Sequence, residues 1–156
     1  KYSCFEAGTR VPFIVHWPGK IKGGKEKNAL VSQIDFLDVM SAIIDSNKEK
    51  NLSPDGLGNQ APAWLGNDNK GREILFQMAA NRNISLRTGK WKYIPPCKGA
   101  PMITWGPKIE TGYPPAPQLY RVKNEYKNLA AKNPEKVKQL QTAIDNIRTT
   151  PANNIK

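Results

Sequence analysis

Apolar residues run almost unbroken from Val11 to Trp17 (VPFIVHW), with Pro12 near the start and Pro18-Gly19 closing the run. This predicts a strand covered on both faces, as in an α/β sheet, because a strand with one wet face alternates. Ser32 to Asp45 changes period. Ile34, Leu37, Met40 and Ile44 fall on one helical face that Phe36, Val39 and Ile43 widen, and Ser32 with Asp35 three positions on forms a capping-box start. From Asn47 to Arg72 the chain turns to Asn, Asp, Gly and Pro, which reads as loop with at most a helical turn near Trp64-Leu65. Short strands follow at Ile74 to Ala79, Ile84 to Thr88, Trp91 to Pro95 and Gln118 to Val122, with a compact turn at Thr88-Gly89 making the middle pair a hairpin. A Pro/Gly-rich loop spans Pro95 to Pro117, and an ordered loop of that length usually serves a site or an interface. The last element is a helix with Asn133 as N-cap, Pro134 at its first position and a seam of Val137, Leu140, Ile144 and Ile147. It is placed to cover one face of the four-stranded sheet.

Composition changes this picture only modestly. The chain has 156 residues and a formal charge of +11, from 24 Lys plus Arg against 13 Asp plus Glu. Of the cations 18 are Lys and 6 Arg, spread in loose groups such as Lys20 to Lys27 and Lys90, Lys92 and Lys98. Base readers favour bidentate Arg, and no nucleic-acid motif is present, so the excess reads as a solvated surface. No apolar run reaches the roughly 18 residues that span a bilayer. The partner expectation is therefore no nucleic acid and no membrane. Cys4 and Cys97 lack CxxC spacing, and whether they pair is left open. The first residue is Lys1, with no initiator Met or signal peptide, so the sequence reads as starting inside a longer chain.

Complete catalytic apparatus is not visible. The single histidine, His16, sits inside the apolar run and reads as a packed core residue, which leaves no Ser-His-Asp triad and no His-rich metal site. The expectation for metal ligands is none. Asp35 and Asp38 read as first-turn helix carboxylates. The opening KYSCFEAGTRVP carries the most information: a Lys, then Glu6, an Ala7-Gly8 pair, and Arg10 just before the apolar run. Glu6 and Arg10 read as a salt bridge fixing the strand entrance, the alternative being an anionic ligand at Arg10.

These residues resemble the sulfatase family of the alkaline-phosphatase superfamily, whose K-x-x-x-(Y/F)-E-G-G-x-R-x-P block leads into a strand ending W-P-G. Here the block stands as Lys1, Phe5, Glu6, Ala7, Gly8, Arg10, Pro12 and Trp17-Pro18-Gly19, with Ala7 in place of the first Gly. The likeness continues through Ser32 and Asp35, Asp55-Gly56, Leu65-Gly66, Gly89-Lys90-Trp91-Lys92-Tyr93, Leu119-Tyr120, Glu125, Asn128-Leu129 and Asn133-Pro134-Glu135, and omits residues 97 to 117. A shorter LYRVKNEYKNL, with Arg121 where the family commonly has Asp, departs from the pattern. The nucleophile motif C/S-x-P-x-R is absent: Cys4 precedes Phe-Glu-Ala-Gly and Cys97 precedes Lys-Gly-Ala-Pro.

The resemblance implies residues 1–72 as the end of an alkaline-phosphatase-like α/β catalytic domain. Residues 73–156 follow as a small α+β subdomain with a four-stranded antiparallel sheet and a C-terminal helix. It implies that calcium and formylglycine belong to an N-terminal part of the same enzyme and not to this stretch. It implies Lys1 as a sulfate-contacting group, and Trp105, Lys108 and Tyr113 as a substrate rim for a sulfated small molecule or glycan. The isolated stretch is then expected to be inactive. Compartment is not legible, although bacterial members are often exported or periplasmic. Two other classes stay open: a stand-alone basic module that binds polyanions, and a piece of a related phosphodiesterase or phosphonate hydrolase.

Overall fold

A computed structural model describes residues 2–44, 59–80, 83–113 and 115–149. Lys1 and the Asp55-Gly56 pair lie outside the described residues. The described residues form two compact units: Pro12–Glu73, and Ile74–Thr149 joined by the N-terminal segment up to Val11.

The sheet unit follows its sequence pattern closely. Strands β1 (Ile74–Met78), β2 (Ile84–Thr88), β3 (Trp91–Ile94) and β4 (Gln118–Arg121) form one antiparallel sheet in the order β1-β2-β3-β4. Register is set where Thr88 pairs with Trp91, so the turn is Gly89-Lys90, and Gly89 takes the positive φ of 50° that its first position needs in a tight hairpin. Alternation sends Leu86, Tyr93 and Leu119 to one face, where Leu140 and Ile144 of α4 (Pro134–Thr149) complete the core with Ala130. Arg121 lies opposite Trp91 in register and stacks its guanidinium 3.5 Å from the ring centroid, a stable place for the residue that departs from the family pattern.

The other face is covered by the beginning of the chain. Cys4 joins Ile94, Tyr120 and Ala79 in a second buried cluster, with Phe5 packed against it. Expectation grouped residues 1–72 together; in this chain the first eleven pack with the sheet, because their apolar side chains fill the face that α4 leaves open. Within this segment α1 (Glu6–Thr9) is a single turn.

In the Pro12–Glu73 unit the predicted strand is not formed. Residues 11–17 have no ladder partner among the described residues, and Ile14 is 88% exposed. His16, expected in the core, is exposed as well. A strand covered on both faces needs neighbouring strands, and the described residues of this unit supply no ladder partner for it. The capping box is present as expected: Ser32 and Asp35 bond reciprocally at a 3-10 turn (Gln33–Asp35) that leads into α2 (Phe36–Ile44). The buried side of this element carries carboxylates beside Val39. Asp35 and Asp38 are inside, whereas Ile34, Phe36, Leu37 and Ile44 face out. Asp35 takes the Arg72 guanidinium through Nε at 2.9 Å and Nη2 at 2.6 Å, with both side chains fully buried. Gly71 beside it, at φ 63°, lies so close to Leu30 that a Cβ would meet the Leu30 carbonyl oxygen at 2.2 Å. A short helix, α3 (Ala61–Trp64), places Trp64 edge-on to Phe13 at 4.7 Å between ring centroids.

The seam predicted for α4 is buried at Leu140 and Ile144 but half-open at Ile147, which is 51% exposed. Leu140→Ala should therefore lower stability in urea unfolding by about 2–5 kcal/mol, and Ile147→Ala by less than about 1 kcal/mol. Equal losses would mean the helix docks along its whole length.

Candidate functional site

The N-terminal segment lies on the sheet through contacts that start at its backbone. Tyr2 adopts φ 77°, the one non-glycine positive φ among the described residues, and its carbonyl accepts the Ala80 N–H at 3.1 Å. The Cys4 N–H donates to the Thr111 carbonyl at 3.0 Å, and the Phe5 ring stands edge-on to Tyr120. Within α1 the Gly8 N–H bonds Phe5 O and the Arg10 N–H bonds Glu6 O. Gly8 sits so close to Ser3 that a Cβ would meet its carbonyl oxygen at 2.6 Å, whereas Ala7 is exposed. Only the second of the two small motif positions must be glycine in this packing, so Ala7 at the first is tolerated.

Glu6 is the hub. Its Oε1 accepts from Lys92 Nζ at 3.0 Å and its Oε2 from Arg87 Nη1 at 3.1 Å, while its backbone N–H donates to Glu125 Oε2 at 2.8 Å. Lys92 also donates to Thr9 Oγ1 at 3.0 Å and lies 4.0 Å from Glu125 Oε1. The Lys92 side chain is completely buried. Burial holds the Lys92 ammonium below the usual lysine range, opposed by the charge of Glu6 and its hydrogen bond; burial likewise pushes the Glu125 carboxyl up, opposed by the Glu6 N–H and by Lys92. The Cys4 thiol is pushed up to about 11 by burial, against the pull of Lys92. Both cysteines are free, Cys4 buried and Cys97 half-buried.

Several expectations change here. Glu6 does not pair with Arg10, which is exposed and forms no ion pair among the described residues. Glu6 opens the one-turn α1 and Arg10 caps its end, and the carboxylate reaches inward to the sheet. Lys92, read as part of a solvated basic group, is the most deeply buried cation of the site. Its signal was its place in W-K-Y-I, alternating with the residues that face α4. Glu125 stood out only as part of the family resemblance, and Arg87 carried no comparable sequence signal.

The long loop is ordered by an isolated bridge between Met102 and Glu110 and by Thr111, whose hydroxyl donates toward the carbonyls of Ala100 and Pro101. Trp105 is exposed and stands edge-on to Tyr2 at 5.1 Å between centroids, and Lys108 is exposed nearby in sequence. Tyr113 is different: it is 6% exposed, with its ring against Gly99, so it does not present a face for stacking on a ligand. Lys1, the expected sulfate contact, lies outside the described residues. An open groove of about 870 Å³ runs on the α4 side of the sheet, lined mainly by apolar residues such as Pro96, Pro117, Pro134 and Val137, a poor lining for an anion. Among the described residues no three His, Cys, Asp or Glu converge to hold a metal, and no helix is long and apolar enough to cross a membrane.

At pH 8 a Cys4 thiol this far shifted is ionised to about one part in a thousand and is shielded from solvent. A thiol reagent should label Cys97 promptly in the native protein and Cys4 only on unfolding. Two equally fast thiols would contradict the buried seat.

No protein-family model matches the chain. Among curated proteins it is 38% identical to an N-acetylgalactosamine-6-O-sulfatase of Bacteroides thetaiotaomicron, over 96% of this chain and 29% of that protein. It is 29% identical to arylsulfatase K of Bos taurus, over 97% of this chain and 28% of that protein. A solved sulfatase structure, described under the metabolism of multiple glycosaminoglycans by Bacteroides thetaiotaomicron, matches with a TM-score of 0.86 and 35% identity, over 96% of this chain and 31% of that chain. The chain thus spans somewhat under a third of the length of the relatives it matches. With its four-stranded antiparallel sheet and terminal helix, it is related over nearly all of its length to the sulfatases and fits the C-terminal portion of their alkaline-phosphatase-like fold.

Proposed function

We propose that this chain is the C-terminal part of an enzyme that hydrolyses sulfate esters of a sulfated glycan or aryl sulfate. The observation that carries this reading is the 38% identity to a protein named N-acetylgalactosamine-6-O-sulfatase across 96% of the chain. That name favours a sulfated amino sugar over a simple aryl sulfate. Residues 1–72 would close the parent's α/β catalytic domain and residues 73–156 form its subdomain, with the first eleven residues serving both. They carry the motif chemistry and pack on the subdomain sheet.

The exposed apolar surface supports a missing neighbour. Phe13, Ile14, Val15 and Trp17, and separately Ile34, Phe36, Leu37 and Ile44, are exposed in one unit, the kind of apolar surface that marks an interaction site. The proposed cover is the N-terminal part of the same enzyme, which would also supply the nucleophile and calcium. No residue of this chain is assigned to either.

What this chain contributes is charge and shape. Lys1, by its motif position, places an ammonium against the sulfate oxygens and stabilises the negative charge that grows as the ester bond breaks. Trp105 and Lys108, both exposed on the long loop, form a rim that stacks on and pairs with the sulfated sugar; buried Tyr113 supports the loop beneath them.

In the full-length parent, Lys1→Ala should lower kcat/KM for a sulfate ester by on the order of 10²-fold or more. An unchanged rate would remove Lys1 from the site. In the same assay Trp105→Ala should weaken turnover of a sulfated oligosaccharide more than that of a small aryl sulfate, and equal losses would remove the rim. The 156-residue chain alone should not hydrolyse an aryl sulfate.

A further inference from the structure

We infer that Cys4 and Cys97 are a redox pair: a disulfide oxidant such as oxidised glutathione joins them, and the bond fastens the N-terminal segment to the long loop. The pairing stands independently of the sulfate-ester reading. Both thiols are free in this structure and lie far apart in sequence, yet the fold brings their segments together within one compact unit. Three stretches of backbone run side by side. The Cys4 N–H donates to the Thr111 carbonyl at 3.0 Å, and the Thr111 N–H donates to the Pro101 carbonyl at 2.9 Å. Thr111 is thus flanked by the segment of Cys4 and by the stretch that follows Cys97. Close packing links the same places. A Cβ on Gly112 would stand 2.9 Å from Cys4 Cβ and 3.4 Å from Ile94 Cδ1, and Cys97 follows Ile94 by only a few residues. A Cβ on Gly99, just beyond Cys97, would meet the Tyr113 ring at 2.4 Å. Gly112 therefore packs on Cys4, and its neighbour Tyr113 packs on the backbone beside Cys97. The electrostatics agree with this placement. Charge on Cys97 works against ionisation of Cys4, and charge on either cysteine works against ionisation of the Tyr113 hydroxyl. Such influence falls with distance and marks the two sulfurs as neighbours in space.

The surroundings give the chemistry an order. Cys97 is half-buried on irregular backbone, so a soluble oxidant meets it first. Its thiolate attacks one sulfur of oxidised glutathione, which forms a mixed disulfide and releases one glutathione thiolate. Cys4 is fully buried and out of reach of glutathione itself. As a thiolate it attacks the Cys97 sulfur and expels the second glutathione, which takes up the proton that Cys4 gave up. Two protein thiols have then lost two electrons and two protons, and one glutathione disulfide has become two thiols. Lys92 favours the Cys4 thiolate but burial makes it scarce, so this second step is the slow one. No ladder or helix holds the backbone at Cys97, which is the side that shifts to reach the Cα separation of roughly 4.4–6.8 Å that a disulfide needs. The bond closes a loop of roughly 90 residues, and cross-links of long loops restrict the unfolded chain most. It also ties the segment that carries Glu6 to the loop that carries Trp105.

The test uses the full-length protein that contains this chain, first reduced and then kept folded in oxidised and reduced glutathione at an oxidising ratio. The reaction is quenched with acid, remaining thiols are alkylated, and tryptic peptides are mapped by mass spectrometry without reduction. The expected product, in most of the molecules, is peptide 2–10 linked to peptide 93–98, two hydrogens lighter than the two thiol peptides together. Dithiothreitol should abolish it. Oxidation should raise Tm by at least about 3 °C, and Cys97→Ser should remove both the linked peptides and the rise. Glutathione on Cys97 beside a free Cys4 thiol would overturn the pairing, as would two unmodified cysteines or a link that appears only after unfolding in urea. A linked pair with an unchanged Tm would overturn the fastening role.

Discussion

Arg87 and Lys92 stand directly opposite each other on β2 and β3, on the sheet face turned away from α4. Two cations paired across strands repel, and Lys92 is fully buried, so this face has no stable form without an anion between them. Glu6 is that anion. Its carboxylate spans the pair, one oxygen to each cation, and it arrives on the N-terminal segment, not on the sheet. The electrostatic requirement of the sheet and the placement of the motif segment are thus one constraint.

The remaining features of the segment follow from it. Once Glu6 is drawn down to the sheet, Cys4 and Phe5 are brought over Ile94 and Tyr120, and α1 is pressed so closely on Ser3 that Gly8 admits no Cβ. Glu125, on the connection after β4, takes the first N–H of α1, that of Glu6, and adds a second carboxylate beside Lys92. Burial then works against the charged forms of both Lys92 and Glu125, which makes the arrangement sensitive to the loss of either partner. The sheet of this unit is therefore the surface on which the motif segment is built.

Local periodicity made much of this unit legible. Short runs bounded by turn residues marked all four strands to within a residue or two, and the 3.6 spacing of Leu140 and Ile144 marked the docking face of α4. The capping box at Ser32 was legible for the same reason, since both partners lie within one turn. What sequence could not show was which charges go inside. Lys92 looked like its surface neighbours Lys90 and Lys98, and Glu6 was paired with Arg10 because they are close in the chain, whereas its partners are 81 and 86 positions away. The run from Val11 to Trp17 misled for a different reason. Its apolar character suits a covered strand, but cover is a property of neighbours, and among the described residues the run has no ladder partner and stays exposed. Trp105 and Tyr113 show the same limit within one loop: both are aromatic residues among Pro and Gly, one exposed and one under Gly99.

The central claim is that Glu6 and Lys92 act as a single buried unit. It is tested most directly by a double-mutant cycle in denaturant unfolding, using Glu6→Gln, Lys92→Met and the combination. If each charge is buried only because the other is present, the double variant will be far less destabilised than the sum of the singles, with a coupling energy of at least about 2 kcal/mol. Additivity within about 0.5 kcal/mol would show that the two side chains contribute independently, and would contradict the account of the segment as seated by this pair.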